Sequence, residues 1–361
     1  MMKMNKWTMA LAAAGVVSLS SVAQAQEAAA GANALAASTT LSGYVSTSYT
    51  MAKDGVTPEG TFRAGDDIDS YALDVVSLKL ASAQGAGEWA TGYTVELWAG
   101  PAASDIGTND GTAGTVELMQ ANINLRLPVG NGIDLTVGQF GTVVGAETYN
   151  YNENAFHGHS FGFALEPTHH TGILAGYQIA DGLAIQVGAV NDSTTNATNN
   201  NSTSSTGMLA SISYTLPDSL GPLGGTELYA AMVEGQGADG SETDYNYISA
   251  EIPLPVDGLT YKVAWDIVET DSAADSNVVG HYFSYTVNDK LTVNIRHERG
   301  NINHDIGGTR WDNADGLEST TVGLDYKLWE NVTSRVEFTT SDADNVTTDE
   351  ETLAFNIIYS F

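Results

Sequence analysis

Segments of about ten residues, in which apolar side chains alternate with small or polar ones, run from residue 39 to the end of the chain. The last segment shows the pattern clearly, because every second residue is large and apolar: Leu353, Phe355, Ile357, Tyr359 and Phe361. Successive side chains of a β-strand point to opposite faces, so a period of two collects these residues on one face. No helical period is sustained beyond the first 25 residues. The alternation therefore predicts an all-β fold.

The connections between these segments alternate in length. Sixteen segments begin near residues 39, 70, 88, 114, 132, 169, 183, 207, 226, 243, 259, 277, 290, 317, 331 and 351. Tight connections fall at 85–87, 128–131, 181–182, 288–289 and 329–330, and long polar ones at 53–69, 100–113, 142–168, 192–206, 271–276, 302–316 and 342–350. Short turns at one rim and long loops at the other are typical of an up-and-down β-barrel.

The chain begins with the features of a secretory signal peptide. Two basic residues, Lys3 and Lys6, precede a short apolar run, and an A-x-A cleavage site ends at Ala25. We therefore expect a cleaved signal over 1–25, a short Ala-rich periplasmic leader over 26–38 and a single barrel over 39–361. No later apolar run reaches the roughly 18 residues of a transmembrane helix.

The chain is strongly acidic and contains no cysteine. It has 13 Lys and Arg residues against 44 Asp and Glu residues, a formal net charge of −31. Such a charge argues against nucleic acid as a partner and favours attraction of cations. Disulfides and cysteine-based metal or redox chemistry are excluded.

The apolar face of each strand could meet either a second sheet or lipid. The export signal, the loop rhythm and the even strand count together favour lipid. They predict a transmembrane antiparallel up-and-down β-barrel of about sixteen strands, with long external loops and short periplasmic turns. Aromatic residues near the strand ends are expected to form girdles at the membrane interfaces: Tyr93, Trp98, Tyr214, Tyr261, Trp265, Tyr326 and Trp329.

Two parts of the sequence resemble a known family. The chain ends in Phe361, with Tyr359 and Ile357 at alternate positions, which resembles the signal read by the outer-membrane assembly machinery. The segment 137–172 is similar to the porin-2 group of Gram-negative outer-membrane porins at eight positions: Gly138, Phe140, Val144, Gly145, Pro167, His170, Thr171 and Gly172. The resemblance implies an outer-membrane barrel with lipid around it, a homotrimer, and a third external loop that folds into the lumen.

That third external loop is the long connection at 142–168, which leads into the stretch "NAFHGHSFGFALEPTHHTG" (154–172). Its glycines and aromatic residues suit close packing along a barrel wall. We expect it to constrict the pore, with five candidate lining residues: Glu147, Glu153, His157, His159 and Glu166. Protonation of the histidines below about pH 6.5 would then alter conductance.

Two other interpretations of this stretch remain open. His157 and His159, with His169, His170 or Glu166, offer nitrogen and oxygen ligands for a metal ion, although some ten residues separate the two histidine pairs. Alternatively, Ser160 with His157 or His159 could serve an outer-membrane esterase or phospholipase. Adjacent residues of a strand face opposite sides, which disfavours such a pair within a strand.

Six basic residues fall on the polar faces of predicted strands. A cation facing lipid near the midplane would cost roughly 2–4 kcal/mol, so these residues are expected to line the lumen: Lys79, Arg126, Lys262, Arg296, Lys327 and Arg335. Together with the acidic external loops they would create a transverse field. An equally open interpretation is that they pair with lumen acids, such as Glu96 or Glu337, and stabilise the wall.

The sequence thus predicts a passive porin for ions and small hydrophilic solutes, weakly preferring cations, with no enzymatic activity, metal or cofactor. The alternatives are the barrel esterase described above and a surface adhesin or receptor whose acidic loops bind Ca²⁺.

Overall fold

A computed structural model shows the chain as a closed barrel of sixteen antiparallel strands. The structure describes residues 38–53, 68–106, 116–194, 206–236, 241–271, 273–303, 311–347 and 349–361. The predicted signal peptide (1–25) and all of the leader except Ser38 lie outside the described residues, and both stay predictions.

The strands begin within three residues of their predicted starts. They are β1 (Thr39–Ala52), β2 (Ser70–Ser82), β3 (Thr91–Ala99), β4 (Val116–Leu127), β5 (Ile133–Gly141), β6 (His169–Ala180), β7 (Leu183–Val190), β8 (Gly207–Thr215), β9 (Glu227–Glu234), β10 (Thr243–Pro253), β11 (Leu259–Thr270), β12 (Ser276–Thr286), β13 (Leu291–Asn301), β14 (Leu317–Trp329), β15 (Val332–Asp342) and β16 (Glu350–Ser360). Short helices α1 (Pro101–Ile106) and α2 (Phe161–Leu165) and a 3₁₀ helix (Asp218–Leu223) lie in the connections. No helix in the described ranges is long and apolar enough to cross a membrane.

The barrel closes between its first and last strands. Each strand pairs with its sequence neighbours, and β1 pairs with β16 through a register that sets Val45 opposite Tyr359. The backbone N–H and C=O groups of Phe361 both bond to Gly43, which extends this seam to the last residue. Closure leaves no strand edge unpaired, which a barrel in lipid requires because lipid offers no hydrogen bonds.

The two faces of the wall differ as the alternation predicts. Large apolar side chains such as Leu78, Ile212 and Val322 are exposed on the outside, and small polar ones such as Ser46 and Thr321 are buried inside. Trp98 corrects one expectation. It was assigned to an interface girdle, but it faces the lumen and is completely buried against aromatic residues of a connection that enters the barrel.

Candidate functional site

The connection over residues 142–168, called here the inward loop, enters the barrel between β5 and β6. Its two ends are tied together where the Thr142 N–H donates to the Thr168 carbonyl at 3.0 Å. Between these ends the loop reaches β13 and β15, and β13 lies halfway around the ring of strands from β5. The loop therefore crosses the lumen to the opposite wall.

Arg296 on β13 holds the middle of the inward loop. Its guanidinium donates to the carbonyls of Gly158 (3.0 Å) and His159 (3.1 Å), and it pairs with the loop carboxylate of Glu147 at 2.8 Å. The same group lies 4.7 Å from the ring centre of Phe156 and is itself only 1% exposed. A buried guanidinium with this many acceptors fixes the position of the loop backbone.

Arg335 on β15 makes a second clamp beside the first. It donates to the backbone carbonyls of Tyr151 (2.6 Å), Asn154 and Phe156 (3.3 Å). Its Nε pairs with Asp325 on β14 at 3.1 Å. The Arg335 side chain thus donates to three backbone carbonyls of the loop. These carbonyls lie outside helices and strands and need a donor from elsewhere.

Wall carboxylates complement the two arginines by accepting from loop N–H groups. Glu337 on β15 accepts from His157 N–H at 2.6 Å and Gly158 N–H at 3.1 Å. Glu298 on β13 accepts from Gly162 N–H at 3.2 Å, where α2 begins. The wall therefore supplies both signs of charge, and the loop offers backbone donors and acceptors to match.

The other side of the inward loop packs on an apolar part of the lumen wall. Inward-facing positions of β6 to β11 are apolar here and form a buried cluster with the loop: Leu174, Val190, Leu209, Ala231, Val233, Tyr245, Tyr247, Ala264 and Val268 from the wall, with Phe140, Val143, Val144, Phe161 and Leu165 from β5 and the loop. The lumen face of these strands is therefore not polar throughout. Their apolar side chains are buried by the loop rather than by a second sheet.

Aromatic residues join the loop to the wall at β1 and β3. The Tyr149 hydroxyl donates to the buried Glu96 carboxylate at 3.0 Å, and the Tyr149 ring lies edge-on to Trp98 at 5.4 Å. The Tyr151 N–H donates to the Tyr44 hydroxyl at 3.3 Å. The loop is therefore anchored on several sides of the lumen at once.

Glu166 ends α2 and meets a second carboxyl group on the wall. It shares a hydrogen bond with Asp266 on β11, which requires a proton between them. Burial raises the pKa of Glu166 well above 4.5, and the negative charges of Asp266, Glu147 and Glu298 raise this pKa further. A neutral Glu166 therefore holds the end of the loop against β11.

The histidines of the loop differ from the expectation that they line the pore. His157 and His159 are 0% and 1% exposed. The His159 ring stacks on Phe163 at 4.1 Å, and its Nε2 lies 3.0 Å from the Thr148 carbonyl. Both imidazoles lie inside the packing between loop and wall, because the loop turns its side chains toward the barrel rather than toward water.

The metal and esterase interpretations gain no support from this geometry. Within the described ranges, no group of three or more His, Cys, Asp or Glu side chains could hold a metal ion. The Ser160 hydroxyl accepts from Phe163 N–H at 3.0 Å and so caps α2. The Ser160 N–H donates to the Glu147 carboxylate at 3.0 Å.

Glu153 is the exposed acid of the inward loop. It ends a tight turn closed by its N–H donating to the Asn150 carbonyl at 3.0 Å, and the residue is exposed. The wall cation that acts on it is Lys79 on β2, whose Nζ also lies 3.5 Å from Glu96. Of the five predicted lining residues, Glu153 is thus the one that the structure leaves exposed, while Glu147 is buried and Glu166 is partly buried.

The remaining basic residues lie on the periplasmic half of the lumen wall. Arg126 pairs with Asp134 at 2.8 Å, and Lys262 pairs with Glu251 at 3.3 Å. Lys327 is exposed, and no described carboxylate lies within ion-pair distance of it. Five of the six predicted wall cations therefore pair with carboxylates, which was one of the two interpretations left open.

The glycines of the segment 137–172 have a steric explanation. Gly138 and Gly172 face each other across β5 and β6, and a Cβ at either position would meet a backbone carbonyl oxygen, 2.3 Å away at Gly138 and 2.1 Å away at Gly172. Gly145, with φ +110°, lets the Glu166 carboxyl approach the backbone. Gly138 thus permits the close approach of β4 and Gly172 that of β7, while Gly145 makes room for Glu166 within the inward loop.

Gly172→Ala is expected to reduce the yield of folded barrel, while Gly176→Ala on the same strand is not. A Cβ at Gly176 would meet no atom closer than 3.8 Å. Overpacking at Gly172 should cost about 1–3 kcal/mol. The heat-dependent mobility shift of refolded protein on gels measures the folded fraction, and equal yields for the two variants would contradict the explanation.

The C-terminal residues have distinct environments. Ile357 and Tyr359 point outward from β16 and are exposed, and the Tyr359 ring stacks on Phe361 at 6.2 Å. Their recognition by the assembly machinery stays a prediction.

Comparison with known proteins agrees with this architecture. Residues 38–361 match the family described as "Putative beta-barrel porin-2, OmpL-like". No curated protein in the comparison matches the sequence significantly.

Solved outer-membrane barrels share the fold at low identity. Among them are OmpF of Salmonella typhi in complex with daunomycin (TM-score 0.62, 13% identity, covering 90% of this chain and 97% of that one) and the trimer form of OmpT of Vibrio cholerae (TM-score 0.59, 11% identity, 90% and 99%). The outer membrane protein opdK of Pseudomonas aeruginosa matches with a TM-score of 0.50 (12% identity, 90% and 98%). At these identities the likeness concerns the fold alone.

Proposed function

Because the chain belongs to the beta-barrel porin-2, OmpL-like family and is a porin of the Gram-negative outer membrane, we propose that it passively conducts ions and small hydrophilic solutes. The observation that carries the proposal is a closed barrel that encloses its own charged loop. A barrel of sixteen strands without such a loop would leave a wide aqueous channel. The inward loop makes the passage narrow enough to be selective.

We propose that the passage prefers cations. Even without the neutral Glu166, acidic side chains outnumber basic ones on the inward loop and the wall around it: Asp74, Glu96, Glu147, Glu153, Asp266, Glu298 and Glu337 against Lys79, Arg296 and Arg335. Glu153 contributes most directly, because it is exposed whereas Glu147 is buried and Glu166 is partly buried. Charges at a narrow point act on ions more strongly than charges at the screened mouth.

Glu153→Gln is expected to lower the cation preference of the channel, while Glu330→Gln in a periplasmic turn should leave it unchanged. The reversal potential in a planar bilayer under a salt gradient measures the preference. Wild-type protein should show a potential of the sign that cation flow produces. A potential of the opposite sign would contradict the cation preference, and absence of any conductance would contradict the channel itself.

A homotrimer in the outer-membrane lipid fits this proposal. The V. cholerae OmpT structure of the same fold is described as a trimer form. A non-enzymatic role is favoured because the Ser160 hydroxyl caps α2 and is buried. Ester hydrolysis by purified protein that is lost in Ser160→Ala would support the esterase instead.

A further inference from the structure

The outer wall carries a group of polar side chains at the level where lipid is expected. We call it the outer polar patch, and it consists of Tyr261 on β11, His281 on β12, His297 and Arg299 on β13, and Glu318 and Thr320 on β14. The functions described above use none of these residues.

The patch faces outward. His297 lies between Arg296 and Glu298, which point into the barrel and are each 1% exposed. Thr320 likewise lies between two buried inward residues. The register sets His281 opposite His297, and His297 opposite Thr320, so these three side chains form one row on the outside.

Hydrogen bonds within the patch use only some of the donors and acceptors of its side chains. Nδ1 of His281 lies 2.7 Å from the Tyr261 hydroxyl, and Nδ1 of His297 lies 2.9 Å from the Thr320 hydroxyl. Each imidazole has a second nitrogen that donates or accepts. Nε2 of His297 lies 3.9 Å from Glu318, beyond hydrogen-bond distance. The patch therefore presents further polar atoms to whatever covers it.

Lipid chains are a poor cover for this surface. His281 is the sixth of the eleven residues of β12, halfway between the two rims. Apart from Thr47 on β1, outward residues near the middle of other strands are apolar, as Leu78 on β2 and Ile212 on β8 show. Hydrocarbon cannot satisfy an imidazole N–H, and polar groups on this face cost most near the midplane.

The charges above the row narrow the choice of partner. Arg299 and Glu318 form an ion pair at 2.9 Å, and both remain accessible, with 67% and 44% of their side-chain surface exposed. A phosphate headgroup would match the arginine and be repelled by the glutamate. A protein surface that carries both signs would match both.

We propose that a second copy of this chain covers the outer polar patch, so that the outer face of β12 to β14 is where the protomers meet. The inference rests on the proposed homotrimer and goes beyond it by placing the contact. The copies bury the row of imidazoles between them and complete the hydrogen bonds that lipid cannot.

Spin labels can distinguish protein from lipid as the cover. The chain has no cysteine, so Thr320→Cys and Ile212→Cys each give a single labelling site on the outer wall. In liposomes, we expect a low rate of collision with dissolved oxygen for the label at position 320 and a high rate at 212. Equally high rates would mean that the patch faces lipid and would overturn the proposal.

A pair of substitutions tests the assembly itself. The double variant His281→Leu, His297→Leu suits lipid better than the wild type and should fold, but it should run as a monomer where the wild type is a trimer on native mass spectrometry. Ile248→Leu on the outer face of β10 is the matched control and should stay trimeric. A double variant that remains trimeric, or a wild type that is monomeric, would overturn the proposal. Bilayer conductance of the same samples reports on the channel separately.

Discussion

Replacing Arg296 and Arg335 together with glutamine is expected to raise single-channel conductance several-fold. Each guanidinium holds the inward loop by its backbone carbonyls, at Gly158 and His159 for Arg296 and at Tyr151, Asn154 and Phe156 for Arg335. Their removal also leaves buried carboxylates without a cation. Breaking a buried pair in this way typically costs 3–5 kcal/mol, far more than losing an exposed one.

The loop can relieve that cost by leaving the wall. Once Glu147 and Glu298 lose Arg296, exposure to water stabilises the carboxylates more than burial does. The barrel should survive, because sixteen ladders of backbone hydrogen bonds close it independently of the loop. We therefore expect a folded and more conductive channel.

Arg126→Gln is the matched control for this experiment. Arg126 is also a lumen arginine paired with a carboxylate, but its partner Asp134 lies at the periplasmic end of β5, away from the inward loop. The conductance of the Arg126→Gln variant should stay close to that of the wild type. If the double variant folds and its conductance is unchanged, the two arginines do not hold a constriction. Deleting about ten residues within 147–163 should also raise single-channel conductance, because it removes part of the inward loop itself.

The strands could be predicted because their signal is local. From Leu291 to Arg296 in β13 and from Thr352 to Ile357 in β16, outward residues are apolar and inward ones small or polar, so a single sequence reveals both the strand and its faces. Strands β8 and β9 alternate less clearly, because Leu209 and Val233 are apolar on the inward face too. Those apolar residues indicate that something packs inside the barrel there, but the sequence alone does not show what.

The inward loop was predicted from the resemblance and not from its own residues. Its glycines and aromatic residues were a usable signal, since Phe161 and Phe163 are buried as expected of packed residues. The histidines misled, because His157 and His159 look like ligands or pore-lining groups until their burial is known. Partners such as Glu337 lie 180 positions away, and no local pattern could have assigned them.

Raising the pH is expected to open the wild-type channel. Glu166 holds the end of the inward loop by a hydrogen bond to Asp266 that needs a proton, and burial raises the pKa of Glu166 well above 4.5. In an undocked loop this carboxyl would be solvated, with an ordinary pKa. The docked state is therefore fully favoured below the ordinary pKa and loses stability as pH rises through the raised one.

The surroundings of Glu166 reinforce this direction. The groups that act on it are Asp266 on the wall and the carboxylates of Glu147 and Glu298, all of the same sign once it ionises. Arg296 is the nearby cation, and it is already engaged by Glu147 and Glu298. Ionised Glu166 would thus lie beside carboxylates without a cation of its own, and the loop end should leave β11.

Glu166→Gln should abolish the alkaline rise in conductance, because the glutamine amide still donates to Asp266 and cannot ionise. Glu330→Gln, in an exposed periplasmic turn, should keep the wild-type response. Conductance should be recorded from about pH 5 to about pH 9, which covers both the ordinary and the raised pKa range of a carboxyl group. A change confined to the acid side would instead implicate the histidines, and a response shared by wild type and Glu166→Gln would exclude Glu166 as its source.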